Sequence, residues 1–343
     1  MLITDFDFEL PDELIAQEPL PNREKSRMLV VARGSNSYTD EHFYNFPRFL
    51  KKGDVLVLNN TKVFPARLFG TSETGAKIEL FLVRETENRV WETLARPARR
   101  LKTGKKINFG ENLAAEVLEK TGEGRVFVKF ETDGDFDELL ERVGKTPLPP
   151  YIKRGEDDFD QDRERYQTVF AKEKGAIAAP TAGLHFTPQI LEEIKDSGVR
   201  LAEITLHVGY GTFEPVRVND LSEHRVLPEN YEISAAAAET LNQAKKENRR
   251  IVAIGTTTTR TLETAVSRHG KFVAEKTAAD LTITPGYKFK AIDGLLTNFH
   301  LPQSSLLVLV STFGGYKLIM ESYQHAVSEK YRFYSYGDCM FIF

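Results

Sequence analysis

Residues 251–270 read IVAIGTTTTRTLETAVSRHG. The first five are apolar, too few for a helix, and closed by Gly255, so they predict a buried strand. A helix over 259–268 follows almost at once and stops near Gly270. A strand that turns directly into a helix is the repeating unit of layered α/β folds. The same texture continues on both sides. Downstream of Gly175, Thr187 caps a helix with Pro188 at its first position and Ile190, Leu191 and Ile194 on one face; Gly198 ends it. Residues 200–208 read as a strand, 235–248 as a helix capped by Ser234, 295–299 as a strand, and 304–313 and 317–331 as helices. Upstream, 26–31 and 54–59 read as buried strands. The alternation predicts an α/β domain, layered or barrel-like, with largely parallel strands.

Over 69–147 the pattern changes to short alternating runs at 77–83, 90–95, 114–118 and 125–130, separated by turns containing Gly75, Gly104, Gly110 and Gly122. This predicts a small all-β, barrel-like domain closed by a helix at 135–143. The chain is therefore expected to hold a discontinuous α/β catalytic domain, 1–68 with 148–343, and an inserted β-rich domain, 69–147.

The chain has 343 residues, 41% of them hydrophobic and 28% charged, which is enough to bury a sizeable core and ordinary for a globular protein. Its single cysteine, Cys339, excludes an intramolecular disulfide and a cysteine-based metal site, and fits a reducing compartment; a cytoplasmic location is expected. The start, MLITDFDFELPDELIAQEP, carries early acids and no long apolar run, unlike a signal peptide. The apolar run 306–310 is far too short to span a bilayer. No zinc-type spacing and no HExxH pattern occurs, so no metal is expected. The acidic run 156–162 lacks the glycine and final glutamate of an EF-hand and reads as a solvated loop. The net charge of −4 argues against a generally basic coat for nucleic acid. Locally, however, 84–106 holds eight Lys or Arg against three acids, whereas 111–141 holds ten acids against three bases. Charge alone leaves that basic run a solvated sheet edge or a phosphate-contacting surface.

Polar clusters fall where strands end and helices begin, the usual place for ligands in such folds. Around Thr181, Gly183 and His185, a tight turn, a hydroxyl and a histidine precede a helix N-terminus, which favours a neutral imidazole. Around His207, Gly209, Gly211 and Thr212, two glycines permit close backbone approach. Thr256, Thr257 and Arg260 lie in the run already quoted; either they face an anion, or the threonines cap the helix while Arg260 pairs with Glu263. Around Asn298, His300 and Ser304, polar groups leave a strand, and Ser304 or Ser305 caps an apolar helix. The N-terminal half adds PNREKSR, with Arg23 and Arg27, and NNTKVFPAR, with Asn59, Asn60 and Arg67.

Together, PNREKSRMLV, GDVLVLNNTKVFPARLFG, LARPARRLKTG, PLPPYIKR, RYQTVFA, APTAGLHFT, HVGYGTFEPV, GTTTTRTLE, TNFHLPQSSLLVLVSTFGG and YRFYSYGDCMFIF make the chain resemble the S-adenosylmethionine:tRNA ribosyltransferase-isomerase family of queuosine biosynthesis. The resemblance runs from end to end. It implies a barrel-like α/β domain with a β-rich insert, and a reaction in which S-adenosylmethionine is consumed as a cosubstrate, with no cofactor and no metal. The partner it implies is tRNA bearing 7-aminomethyl-7-deazaguanine; no membrane association and a monomer are expected. On this basis His185, His207 and His300 are the candidate acids and bases, with His185 the leading base. Thr181, Thr256, Thr257 and Asn298 are expected to orient ribose and adenine, and Arg23, Arg67 and Arg260 to contact carboxylate or phosphate. Arg27, Asn59, Asn60, Gly183, Gly209, Gly211, Thr212 and Ser304 complete the expected substrate contacts. Arg96, Arg99, Arg100 and Lys102 on the insert become the expected tRNA contacts. A methyltransferase would share the cosubstrate but should carry a glycine-rich loop after its first strand, and none is evident.

Overall fold

The protein is described by a computed structural model covering all residues except 123, 155–159 and 214, with the side chains of Asp160, Thr212 and Phe213 also outside the description. The side chain of Thr212 and most of the acidic 156–162 run thus lie outside the described residues. Within that run, Asp160–Arg165 is helical.

The large sheet has nine strands in the order Glu275–Ala279, Glu229–Ile233, Arg200–Leu206, Val55–Asn59, Ile251–Ile254, Gly294–Asn298, Cys339–Ile342, Arg27–Ala32 and Ser37–His42. Ile251–Ile254 lies near its centre, parallel to both Val55–Asn59 and Gly294–Asn298, and all four of its residues are buried. Buried on both faces, it reads as a continuous apolar run. The expected largely parallel sheet is instead mixed. Four ladders are parallel, and the other four are antiparallel, three of them at the two ends of the sheet. One antiparallel pair is a direct return, Ser37–His42 turning straight back along Arg27–Ala32, whereas the other three join strands separated by longer connections.

Side-chain alternation divides the core between the sheet's faces. Val55, Val57, Ile251, Ala253 and Leu295 pack with Leu241, Leu262, Leu307 and Ile319 from the helices Ala235–Lys246, Thr256–His269, Ser305–Gly314 and Tyr316–Ser328. Leu56, Leu58, Val252, Ile254 and Leu296 pack on the other face with Phe43, Phe46, Phe186 and Ile190. Each such buried side chain contributes about 1.5–3 kcal/mol of transfer free energy.

The β-rich segment is a closed six-stranded barrel, in the order Arg125–Glu131, Val90–Arg96, Lys77–Glu87, Arg67–Ser72, Lys106–Asn108 and Ala114–Lys120. Ile78, Leu80, Leu82, Val117, Val126 and Val128 alternate inward and fill it. The helix Phe136–Val143 follows, its first turn capped by the Asp135 carboxylate, which accepts from the Glu138 N–H at 3.0 Å.

Candidate active site

The strand Ile251–Ile254 turns into its helix at Gly255, whose φ of +92° only glycine adopts readily. The helix then begins at Thr256, three residues earlier than its sequence predicts. The hydroxyls of Thr258, Thr259 and Thr261 donate to the carbonyls of Ile254, Gly255 and Thr257, one turn back, at 2.7–3.1 Å. Three of the threonines are therefore spent within the helix. Thr257 is different: its hydroxyl oxygen is buried and has no partner.

Thr256 and Thr257 line a small cavity of about 100 Å³ at the carboxyl ends of the parallel strands, together with Thr181, Asn298, His300 and Tyr334. Thus four of the expected substrate contacts and one expected histidine converge. Three other atoms of lining residues lack partners among the described residues: the Asn298 side-chain oxygen and the Tyr166 and Tyr334 hydroxyls. Buried polar atoms are nearly always paired, so four orphans around one cavity make it the candidate site. Tyr334 also has φ +74°, a left-handed conformation costly for an aromatic residue, and its ring lies 4.0 Å from that of Tyr151. Burial raises the pKa of its phenol, so the group stays protonated.

Asn298 is held by a directed chain of hydrogen bonds. Its amide nitrogen lies 3.0 Å from the Tyr334 carbonyl, 3.4 Å from that of Asp338 and 3.3 Å from His185 Nε2. Three acceptors around one NH₂ fix the amide with its oxygen turned away from them. The Ser26 hydroxyl donates to the Arg23 carbonyl at 3.1 Å, so its oxygen accepts from His185 Nδ1–H at 2.7 Å. His185 Nε2 then carries the lone pair, and the Asn298 amide occupies it. Burial, and next the charge of Arg23, bring the His185 pKa down to about 3. The expected neutral imidazole is present, but its basic nitrogen is engaged, and the cavity is lined by Asn298 instead. His300 does line the cavity; its Nε2 is 2.9 Å from the Thr297 hydroxyl, and burial lowers its pKa to about 3.

His207 lies elsewhere. With Gly209 and Gly211 it lines a cleft of about 630 Å³ between the barrel and the large sheet, walled by Phe64, Trp91 and Tyr210. Its Nδ1 is 2.8 Å from the Thr61 hydroxyl, and burial lowers its pKa. Val208 lines both the cleft and the cavity, so the two adjoin. The cavity alone is below the 300–1,000 Å³ usual for a small-molecule site, whereas the cleft is within it.

Several expected contacts are placed in structural roles. Arg260 does not pair with Glu263. It pairs with buried Glu229 at 2.7 Å, while Glu263 accepts from the backbone N–H groups of Lys290, Ala291 and Ile292, because Arg260 reaches the strand Glu229–Ile233 and Glu263 the segment 290–292. Asn59 spends its amide on the backbone of Thr61 and Leu206, and Asn60 bonds Thr205 and Glu203. Arg27 bonds Asp40 and the Glu329 carbonyl beneath the Tyr331 ring, and Arg67 pairs with Glu79 on the barrel. A Cβ at Gly183 would meet Phe170 at 2.6 Å, so that glycine serves close packing. Ser304 caps the helix Ser305–Gly314 by accepting from the Leu307 N–H at 3.2 Å. Arg96, Arg99, Arg100 and Lys102 are all exposed on the barrel, and Arg96 lines a separate groove there. The residues missed by sequence reasoning are Tyr151, Tyr166, Tyr334 and Ser335, which wall the cavity. No periodicity or spacing marks them; only the unusual density of aromatics in the last fifteen residues hints at a packed, non-helical end.

The fold is a mixed α/β enzyme fold with a polar cavity where parallel strands end. The chain belongs to the queuosine biosynthesis protein family, whose model matches residues 3–342. It is similar to the S-adenosylmethionine:tRNA ribosyltransferase-isomerases of Natranaerobius thermophilus, with 50% identity covering 100% of this chain and 99% of the relative, and of Staphylococcus haemolyticus, with 49% identity covering 100% of both. Among solved structures it is similar to the S-adenosylmethionine tRNA ribosyltransferase of Thermotoga maritima, at 36% identity and a TM-score of 0.56, covering 99% of this chain and 100% of that one. No described helix is long and apolar enough to cross a membrane, and among the described residues no cluster of three or more His, Cys, Asp or Glu is placed to hold a metal.

Proposed function

We propose that this chain transfers and isomerises the ribosyl moiety of S-adenosylmethionine onto 7-aminomethyl-7-deazaguanine in tRNA, giving epoxyqueuosine-tRNA and releasing adenine and methionine. The observation that carries this reading is the cavity with unpartnered Thr257, Asn298 and Tyr334 oxygens, in a chain of this family. The sulfonium acidifies the C5′ hydrogens. Deprotonation there starts the sequence; adenine leaves as the ribose ring opens, and the tRNA amine attacks. Epoxide closure then expels methionine, which takes the C–S electron pair.

His300 is the histidine that lines the cavity and serves as the candidate proton acceptor for the C5′ step. His185 is a positioning residue: it holds the Asn298 amide so that the side-chain oxygen meets the developing positive charge. Tyr334, kept protonated, is placed to donate to the departing adenine. Adenosyl and base extend from the cavity past Val208 into the cleft. Residues 69–147 act as an inserted domain whose Arg96, Arg99, Arg100 and Lys102 meet tRNA phosphates. The enzyme works as a cytoplasmic monomer, with S-adenosylmethionine consumed rather than held as a cofactor.

The test is incubation with S-adenosylmethionine and tRNA carrying the 7-aminomethyl base, followed by nucleoside mass analysis and measurement of free adenine. Epoxyqueuosine with stoichiometric adenine is expected. A methylated nucleoside without adenine would overturn the reading.

A further inference from the structure

Behind Phe64 and Pro65, on the far side from the cleft, lies a second pocket of about 400 Å³ lined by Arg23, Lys62, Arg163, Gln167 and Thr168. Its cations are poorly compensated. The Arg23 guanidinium is half-buried and donates only to the Gln167 carbonyl, at 3.1 Å, with no carboxylate in ion-pair contact among the described residues. Burial and then the neighbouring charge of Arg165 lower its pKa, outweighing the opposite pull of the Glu164 and Glu24 charges. Arg165 is turned onto the carbonyls of Pro21 and Leu20, and its Nε has no partner. Lys62 makes no ion pair among the described residues. Of the two acids that line it, Glu141 is already taken by Arg163 at 2.6 Å and Lys174 at 3.0 Å, and the exposed Glu164 makes no ion pair with Arg23 or Lys62 among the described residues. Beside these cations the Thr168 hydroxyl is 5% exposed and its oxygen lacks a partner. The half-buried Arg23 guanidinium and the Lys62 ammonium, next to a buried idle hydroxyl, lack one thing: an anion with several acceptor oxygens.

We infer that this pocket seats an oxyanion of a substrate, either a phosphate of the tRNA beside the modified nucleotide or the carboxylate of the methionine moiety, with Arg23, Lys62 and Thr168 as its donors. The inference rests on the proposed reaction for the identity of the two sources. The pocket is wired to the centre, because the Arg23 carbonyl begins the chain through Ser26 and His185 to Asn298.

The test compares wild type with Arg23→Gln, Lys62→Gln and the charge-preserving Arg23→Lys. tRNA affinity is read by fluorescence anisotropy from 50 to 200 mM salt, and S-adenosylmethionine affinity by calorimetry. A tRNA phosphate predicts that each Gln variant binds tRNA about tenfold more weakly, with the log–log salt slope reduced by about 0.9; Arg23→Lys restores the slope, and S-adenosylmethionine binds as before. The opposite pattern, weakened S-adenosylmethionine with unchanged tRNA, assigns the pocket to the carboxylate. Unchanged affinity for both ligands overturns the pocket. Adenine release by wild type is scored separately: its absence sinks the proposed reaction, while the affinities still decide the pocket.

Discussion

Around Asn298 the polar groups are buried, uncharged and locked into one direction by their neighbours. On the barrel, Arg96, Arg99, Arg100 and Lys102 stand in water as separate charges. A fixed dipole in a dry site is strong at short range and needs no rearrangement as charge develops. An exposed cation is screened within about 8–10 Å, but collectively such cations draw a polyanion from a distance. On the proposed function the two regions divide chemistry from capture, and each should fail in its own way when altered.

The sharpest test of the division is Asn298→Ala. Losing one preorganised polar group typically lowers turnover about 10²–10³-fold. That loss is expected in kcat, read as adenine release at saturating substrates, with tRNA affinity unchanged. A loss carried by tRNA affinity instead would break the separation. Acid stability comes next. His185 and His300 have folded pKa values of about 3, below the unfolded value near 6.5. The unfolded chain binds more protons between those values, so stability is complete above pH 6.5 and is lost as the pH falls toward 3. Each histidine should remove about 2 kcal/mol between pH 7 and pH 5. Urea denaturation of His300→Gln should show that drop reduced by about this amount, whereas replacing the barrel cations should leave it alone. Smaller again is Arg99→Gln, which should reduce the salt slope of tRNA binding by about 0.9 and leave stability within about 0.5 kcal/mol. An unchanged slope would move capture off this face.

Much of this contrast can be read in the residues before any coordinates. The strands and caps around Val55, Thr187, Ser234, Ile251 and Ser304 follow from local rules, because each is set by neighbours close in the chain. The barrel is legible for the same reason, except for Arg67–Ser72 and Lys106–Asn108, whose strand character comes from the partners that close it. Cys339–Ile342 goes unread because it is the last short segment of the chain and becomes a strand only by inserting between Gly294–Asn298 and Arg27–Ala32. The site divides likewise. Thr256, Thr257, Asn298 and His300 are visible as polar groups at strand ends. That Asn59 and Arg260 serve the scaffold, and that Tyr334 serves the cavity, depends on partners 31–147 residues away and leaves no local trace.

The threonine run sets the finest test, because it places both kinds of polar group within one helical turn. Thr258 donates to the Ile254 carbonyl at 2.7 Å; the Thr257 hydroxyl has no partner among the described residues, and Thr257 lines the cavity. Valine keeps the shape of either side chain and removes only the hydroxyl. At Thr258 it deletes a made hydrogen bond, which should cost about 0.5–1.5 kcal/mol. At Thr257 it deletes an unmade one, so stability should stay level or rise by up to about 1 kcal/mol, while the KM for S-adenosylmethionine rises. Thermal denaturation of the two variants, beside their adenine-release kinetics, reads both halves. Equal destabilisation would mean that the Thr257 hydroxyl has a partner within the fold after all, and the argument from unpaired oxygens would lose its first member.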